Sequence, residues 1–159
     1  MNRDHEHVLR KVVLYVEDHP VNVLLMQAVI ERLTDLELVV AQDGREALCV
    51  AADLEPALIL LDLRLPDCRG NELLPLLRQL PGCENAPAVA VTAEDDFDIE
   101  GTGFGELWAK PIDVRWVLQR LAALTASPPH TPAVSPSVMA DAALWRERPP
   151  TASFAAAMR

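Results

Sequence analysis

Glu17 and Asp18 stand side by side directly after one short apolar run, and Asp62 directly follows another. Thr92 and Lys110 each follow a further run of the same kind. If these runs are strands of one parallel sheet, the five side chains meet at its C-terminal edge, where open α/β sheets bind ligands. Three carboxylates packed together repel and raise one another's pKa. The arrangement therefore calls for a hard, oxygen-seeking divalent cation, of which Mg²⁺ is the cellular default. A dication beside a carboxylate suits phosphoryl chemistry, which needs the equatorial oxygens neutralised and the attacking and leaving oxygens held in line. Thr92 offers a hydroxyl hydrogen bond to a phosphoryl oxygen, and Lys110 an ammonium point charge. Taken singly, each residue has a plainer reading, since an acidic pair is usually solvated and a lone Thr or Lys at a strand end usually caps. Their joint placement at strand ends is what points to chemistry.

The elements that must position them are legible as an alternation. Runs at residues 12–16, 37–40, 57–61, 88–91 and 106–109 read as strands, and the inner ones are nearly all apolar, as strands covered on both faces should be. Helical patterns lie between them. The alternation predicts a doubly wound α/β domain with a five-stranded parallel sheet; in the flavodoxin-like order 2-1-3-4-5, the ends of its first and third strands would flank the ligand crevice. The first helix begins near Pro20 and buries Leu25, Met26, Val29, Ile30 and Leu33. Val23, Leu24 and Ala28 lie on its opposite side, more apolar surface than solvation requires. A second helix starts after Asp43 as N-cap and a third follows Gly70, with Pro75 early enough to cost little. The last helix is capped by Asp113 and buries Val114, Val117, Leu118, Leu121 and Leu124, leaving Trp116 pointing away from that stripe.

Composition narrows the function classes. The 159 residues fit one domain plus some extra chain: an N-terminal extension over 1–10, the α/β domain over 11–125, and a tail over 126–159. The tail holds six of the thirteen prolines and reads as disordered, although Val138, Met139, Ala142 and Trp145 keep helical spacing. Acidic residues outnumber basic ones, 24 to 14, the wrong sign for direct nucleic-acid binding. No apolar run approaches the roughly 18 to 20 residues that cross a bilayer, and the first residues lack the apolar core of a secretory signal. A cytoplasmic protein without membrane insertion is expected. Cys49, Cys68 and Cys83 are odd in number and widely spaced, so neither a disulfide framework nor a zinc site is expected. His5 and His7 lack further ligands and read as solvated.

Taken in order, Val-Leu-Tyr-Val-Glu17-Asp18-His-Pro-Val-Asn22, Leu-Leu-Asp62-Leu-Arg-Leu-Pro66-Asp-Cys-Arg-Gly70, Ala-Val-Thr92-Ala and Lys110-Pro111 resemble the receiver domain of two-component response regulators. The Asp18-to-Asn22 stretch is similar to receivers attached to hybrid sensor kinases. The resemblance implies a single-domain response regulator in which Asp62 takes a phosphoryl group from a phosphohistidine. Asp18 and Asp62 would bind Mg²⁺ directly, Glu17 largely through water, and the backbone carbonyl of Arg64 would complete the protein ligands. Thr92 and Lys110 would bind phosphoryl oxygens, and the Lys110–Pro111 bond would be cis. Gly70 would let the preceding loop turn, and Arg64 and Glu94 fall where the family varies side chains that tune acyl-phosphate lifetime. The implied partner is a histidine kinase or histidine phosphotransfer protein, docked on the apolar face of the first helix, with the receiver a monomer or weak dimer. Such a chain is a phosphoacceptor, promoting its own phosphorylation and dephosphorylation, more than an enzyme.

Two departures bear on output. Thr92 and Lys110 are 18 positions apart, about four fewer than receivers usually have, or roughly one helical turn. The helix between the fourth and fifth strands is therefore shortened; Gly101, Gly103 and Gly105 suggest a loop with at most one turn. The usual switch aromatic is replaced by Leu107, with Trp108 beside it. An alternative is thus a receiver-like interaction module that does not switch on phosphorylation. A phosphatase of the haloacid dehalogenase type wants Asp-x-Asp after the strand, which Asp62-Leu63-Arg64 does not supply.

Overall fold

The computed structural model describes residues 9–126; the expected N-terminal extension and tail lie almost wholly outside them. Strands β1 (Lys11–Val16), β2 (Leu36–Ala41), β3 (Leu58–Asp62), β4 (Ala88–Thr92) and β5 (Glu106–Ala109) form one parallel sheet in the order β2-β1-β3-β4-β5. Each expected strand is present, within one residue at either end. The helices are α1 (Pro20–Ile30), α2 (Gly44–Ala51), α3 (Gly70–Leu77) and α4 (Val114–Thr125).

Strand alternation sorts the core into two layers. Leu14, Val16, Ile59, Leu61, Ala88 and Ala90 face α2 and α3, where Ala47, Ala51, Leu73, Leu74 and Leu77 meet them. Val13, Tyr15, Leu58, Leu60, Val89 and Val91 face α1 and α4, against Met26, Val29, Ile30, Val117 and Leu121. Strands β1, β3 and β4 are thus covered on both sides, which explains their continuous apolar sequences.

Helix ends follow their capping residues. The Asp43 carboxylate accepts the Glu46 N–H at 2.7 Å and that of Asp113 accepts the Trp116 N–H at 3.0 Å, each satisfying a donor the first turn leaves open. Pro75 departs from expectation: it is the sixth of eight residues in α3, so it removes an interior donor. An interior proline costs about 3 kcal/mol. Burial of Leu73, Leu74 and Leu77, at roughly 1.5–3 kcal/mol each, offsets it, and the helix stops two residues later.

For two further residues the structure adds what the sequence does not show. Trp116 does lie off the buried stripe, but it packs edge-on against the buried Trp108, with ring centroids 5.5 Å apart. Gly70 has no positive φ, so it does not serve the loop by left-handed freedom. A Cβ there would lie 2.4 Å from the backbone oxygen of Asp62, so the residue is small because α3 starts against the end of β3.

Between β4 and β5 no helix forms. Residues 93–105 are a loop holding one short turn, in which the Thr102 N–H donates to the Ile99 carbonyl at 3.1 Å. Phe97 and Ile99 pin it to the α2/α3 layer, and Gly101 and Gly103 take the positive φ values of 73° and 90° that its turns require. Among the described residues, no helix is long and apolar enough to cross a membrane.

Candidate functional site

Parallel pairing brings the strand ends level. Asp62 of β3 pairs with Val91, and Thr92 of β4 with Ala109, so Asp62, Thr92 and Lys110 stand at one edge of the sheet. Glu17 continues β1, donating its N–H to the Ala41 carbonyl at 2.9 Å. The carboxylate oxygens of Glu17, Asp18 and Asp62 lie within 4.8 Å of one another. Glu17 and Asp62 are buried and Asp18 is exposed, so the cluster opens to solvent on one side.

Lys110 reaches into this cluster: its Nζ donates to Glu17 Oε2 at 2.6 Å and to Asp62 Oδ2 at 2.8 Å. The other Asp62 oxygen, Oδ1, accepts the Arg64 backbone N–H at 3.0 Å. Burial alone would lower the Lys110 pKa, but its two carboxylate partners outweigh that and hold it above the ordinary lysine value. Asp62 is also pushed up, first by burial and further by the charge of Glu17, against the pull of Lys110 and the Arg64 N–H. Three carboxylates and one ammonium at this edge leave negative charge over. An all-oxygen donor set with surplus negative charge and an exposed side fits a hard divalent cation.

Thr92 is buried, and its Oγ1 accepts the Glu94 N–H at 3.1 Å while its carbonyl accepts the Lys110 N–H at 2.9 Å. A cavity of about 170 Å³ is lined by Asp62, Arg64, Thr92, Ala93, Glu94 and Lys110. The Lys110–Pro111 peptide is cis, as expected. Every site residue named from the sequence thus falls at this edge.

Three contributors escaped the sequence reading. The Tyr15 hydroxyl donates to Glu17 Oε2 at 3.0 Å inside the core; their i, i+2 spacing on one strand was the available signal. Burial, then Glu17, hold the Tyr15 pKa well above its usual value, so it remains a donor. Asp67, from the loop after β3, accepts the N–H groups of Gly44 at 2.8 Å and Arg45 at 2.9 Å, tying that loop to the start of α2. Arg69 donates to both oxygens of Glu94, at 2.8 and 3.0 Å, while Arg64 Nε donates to Glu94 Oε1 at 2.7 Å. Hydrogen bonds from Arg69, then Arg64, lower the Glu94 pKa to about 2.

Residues 13–121 match the response regulator receiver domain family. The chain belongs to this family. This receiver is 31% identical over 112 residues to the signal transduction histidine-protein kinase BarA of Escherichia coli (strain K12), covering 68% of the chain but only 12% of that kinase. It is 34% identical over 110 residues to the polar-differentiation response regulator DivK of Brucella ovis, covering 67% of the chain and 89% of DivK. The fold superposes on the receiver domain of sensor histidine kinase PA1611 from Pseudomonas aeruginosa PAO1, which holds a magnesium ion in its active-site cleft. That match has a TM-score of 0.66 and 25% identity, over 74% of this chain and 99% of that one. The Mn²⁺-bound form of response regulator Rcp1 matches with a TM-score of 0.60 and 27% identity, over 75% and 99%.

Proposed function

We propose that this receiver accepts a phosphoryl group on Asp62 from a phosphohistidine of a histidine kinase or phosphotransfer protein. The observation that carries the reading is the placement of Asp62, with one oxygen on Lys110 and the other on the Arg64 N–H, in the cavity that Thr92 also lines. In the transfer an Asp62 carboxylate oxygen bonds to phosphorus and the phosphorus–nitrogen bond breaks. The electron pair stays on the imidazole nitrogen, and with a proton already on the other ring nitrogen the leaving group is neutral histidine. Lys110 supplies a fixed positive charge beside the new acyl phosphate, and Thr92 a hydroxyl donor. A magnesium ion held by Glu17, Asp18, Asp62 and the Arg64 carbonyl would neutralise phosphoryl charge and align donor and acceptor. The chain acts as a phosphoacceptor that promotes its own phosphorylation and dephosphorylation, in the cytoplasm.

The partner surface we assign is the outer face of α1, where Val21 and Leu24 are 64% and 65% exposed. A helix-free loop over residues 93–105, with Leu107 in place of an aromatic switch, favours output through such protein contacts over a rearrangement of the β4–β5 side. The same feature supports the second reading, a module that binds without switching. Incubation with acetyl phosphate, with and without Mg²⁺, followed by intact-mass measurement of wild type and Asp62→Asn, tests the assignment. A single Mg²⁺-dependent phosphoryl adduct, absent in the variant, is expected; no adduct would favour the non-switching module.

A further inference from the structure

Glu94 stands at the rim of the Asp62 cavity between two arginines of unequal hold. Arg69 binds it through both terminal nitrogens, one to each carboxylate oxygen, whereas Arg64 makes one bond through Nε. The Arg64 side chain is 75% exposed and that of Arg69 43%. Both arginines are carried by one short loop, closed by an antiparallel bridge between Arg64 and Arg69 and by the Gly70 N–H donating to the Leu63 carbonyl at 3.0 Å. Arg69 therefore has a fixed origin and a planar two-point grip. Arg64 lines the same cavity, with a fixed backbone, 3.0 Å from Asp62 Oδ1 through its N–H, and a largely exposed side chain held by one bond.

We propose that Arg69 is a positioning residue that satisfies Glu94 by itself, so that the Arg64 side chain can leave Glu94 for the phosphoryl oxygens once Asp62 is phosphorylated. The inference rests on the assignment of Asp62 as phosphoacceptor. Physically, a carboxylate with one partner retains it, while a carboxylate already paired bidentately releases a second partner at little cost. A phosphoryl group brings more negative charge than Glu94 retains, so the guanidinium moves inward. There it covers the acyl phosphate against hydrolysis, in which a water oxygen bonds to phosphorus, the bond to the Asp62 oxygen breaks, and the carboxylate leaves with the electron pair. The protons of the water end on inorganic phosphate and bulk solvent.

The test is the lifetime of the adduct in the full chain, loaded with acetyl phosphate and Mg²⁺, desalted, and followed by intact mass. Arg69→Gln leaves Glu94 with Arg64 alone and should shorten the lifetime about two- to five-fold, the range of one partly exposed ion pair. Arg64→Ala, which keeps the backbone carbonyl and N–H, should shorten it similarly. Adding Arg69→Gln to Arg64→Ala should change nothing further, and Glu94→Gln should restore the Arg69→Gln lifetime to wild type or longer. Such restoration cannot come from a misfolded chain, and Arg69→Lys, a point charge without the fork, should fall between. An unchanged lifetime in Arg69→Gln, or additive losses in the double variant, would overturn the exchange while leaving Asp62 as acceptor. No adduct on wild type would overturn both.

Discussion

The ammonium of Lys110 lies 2.8 Å from Oδ2 of Asp62 and is shared with the buried Glu17, so one cation is divided between two carboxylates inside the sheet edge. Lys110→Met removes that cation and leaves two buried negative charges facing each other. Breaking a fully buried pair costs roughly 3–5 kcal/mol; because the Lys110 side chain is 15% exposed, we expect about 2–3 kcal/mol. Urea denaturation at neutral pH in metal-free buffer should show this loss, and millimolar Mg²⁺ should recover part of it. A loss that Mg²⁺ does not change would mean that the carboxylates do not share a cation site.

Close approach, rather than turn conformation, makes Gly70 small. Gly70→Ala would place a Cβ 2.4 Å from the Asp62 oxygen and 3.1 Å from the Leu63 Cα, so the start of α3 must shift. Overpacking of this kind costs about 1–3 kcal/mol. Urea denaturation should show a lower midpoint with an unchanged slope, and acetyl-phosphate labelling should slow because the displaced strand end carries Asp62.

Acid should weaken the rim. The Arg69 and Arg64 hydrogen bonds lower the Glu94 pKa to about 2, from an ordinary glutamate value near 4.5. A depressed carboxyl pKa contributes stability that is complete above the unfolded value and is lost as pH falls through the folded one. Wild type should therefore lose stability between about pH 4.5 and 2 more steeply than Glu94→Gln, and added salt should narrow the gap. Parallel pH profiles for the two proteins would contradict the ion-pair rim.

An exposed apolar helix face is unusual unless something covers it. Leu24→Glu, at a 65% exposed position, should leave stability within about 0.5 kcal/mol and leave acetyl-phosphate labelling intact. Transfer from a phosphorylated histidine partner should slow. Equal loss of both labelling routes would sink the docking surface on α1.

Much of the site was legible because it is built from strand ends. A continuous apolar run followed at once by Glu17, Asp18, Asp62, Thr92 or Lys110 gives both the strand and the residue that projects from its C-terminal edge, and parallel order brings the ends together. The caps Asp43 and Asp113 were legible for a similar reason, since capping is local. What escaped depends on how loops fold in space. Asp67 reaches Gly44 across 23 positions and Arg69 reaches Glu94 across 25, distances that no periodicity encodes. That Gly70 lets the loop turn was legible, but not that crowding against Asp62 rather than φ requires it, since sequence shows only that a residue is small. Trp116 was placed correctly on its helix, but its partner Trp108 belongs to a strand whose neighbour only the topology names.

The central claim is that Asp62 itself carries the phosphoryl group. The most direct measurement is borohydride reduction of the acetyl-phosphate-treated full chain, followed by peptide mapping, since an acyl phosphate on aspartate is reduced to homoserine at the modified position. The structure predicts conversion at position 62 alone, dependent on Mg²⁺ and on acetyl phosphate. Conversion at Asp18 or elsewhere, or none at position 62 in a chain whose intact mass shows the adduct, would contradict it.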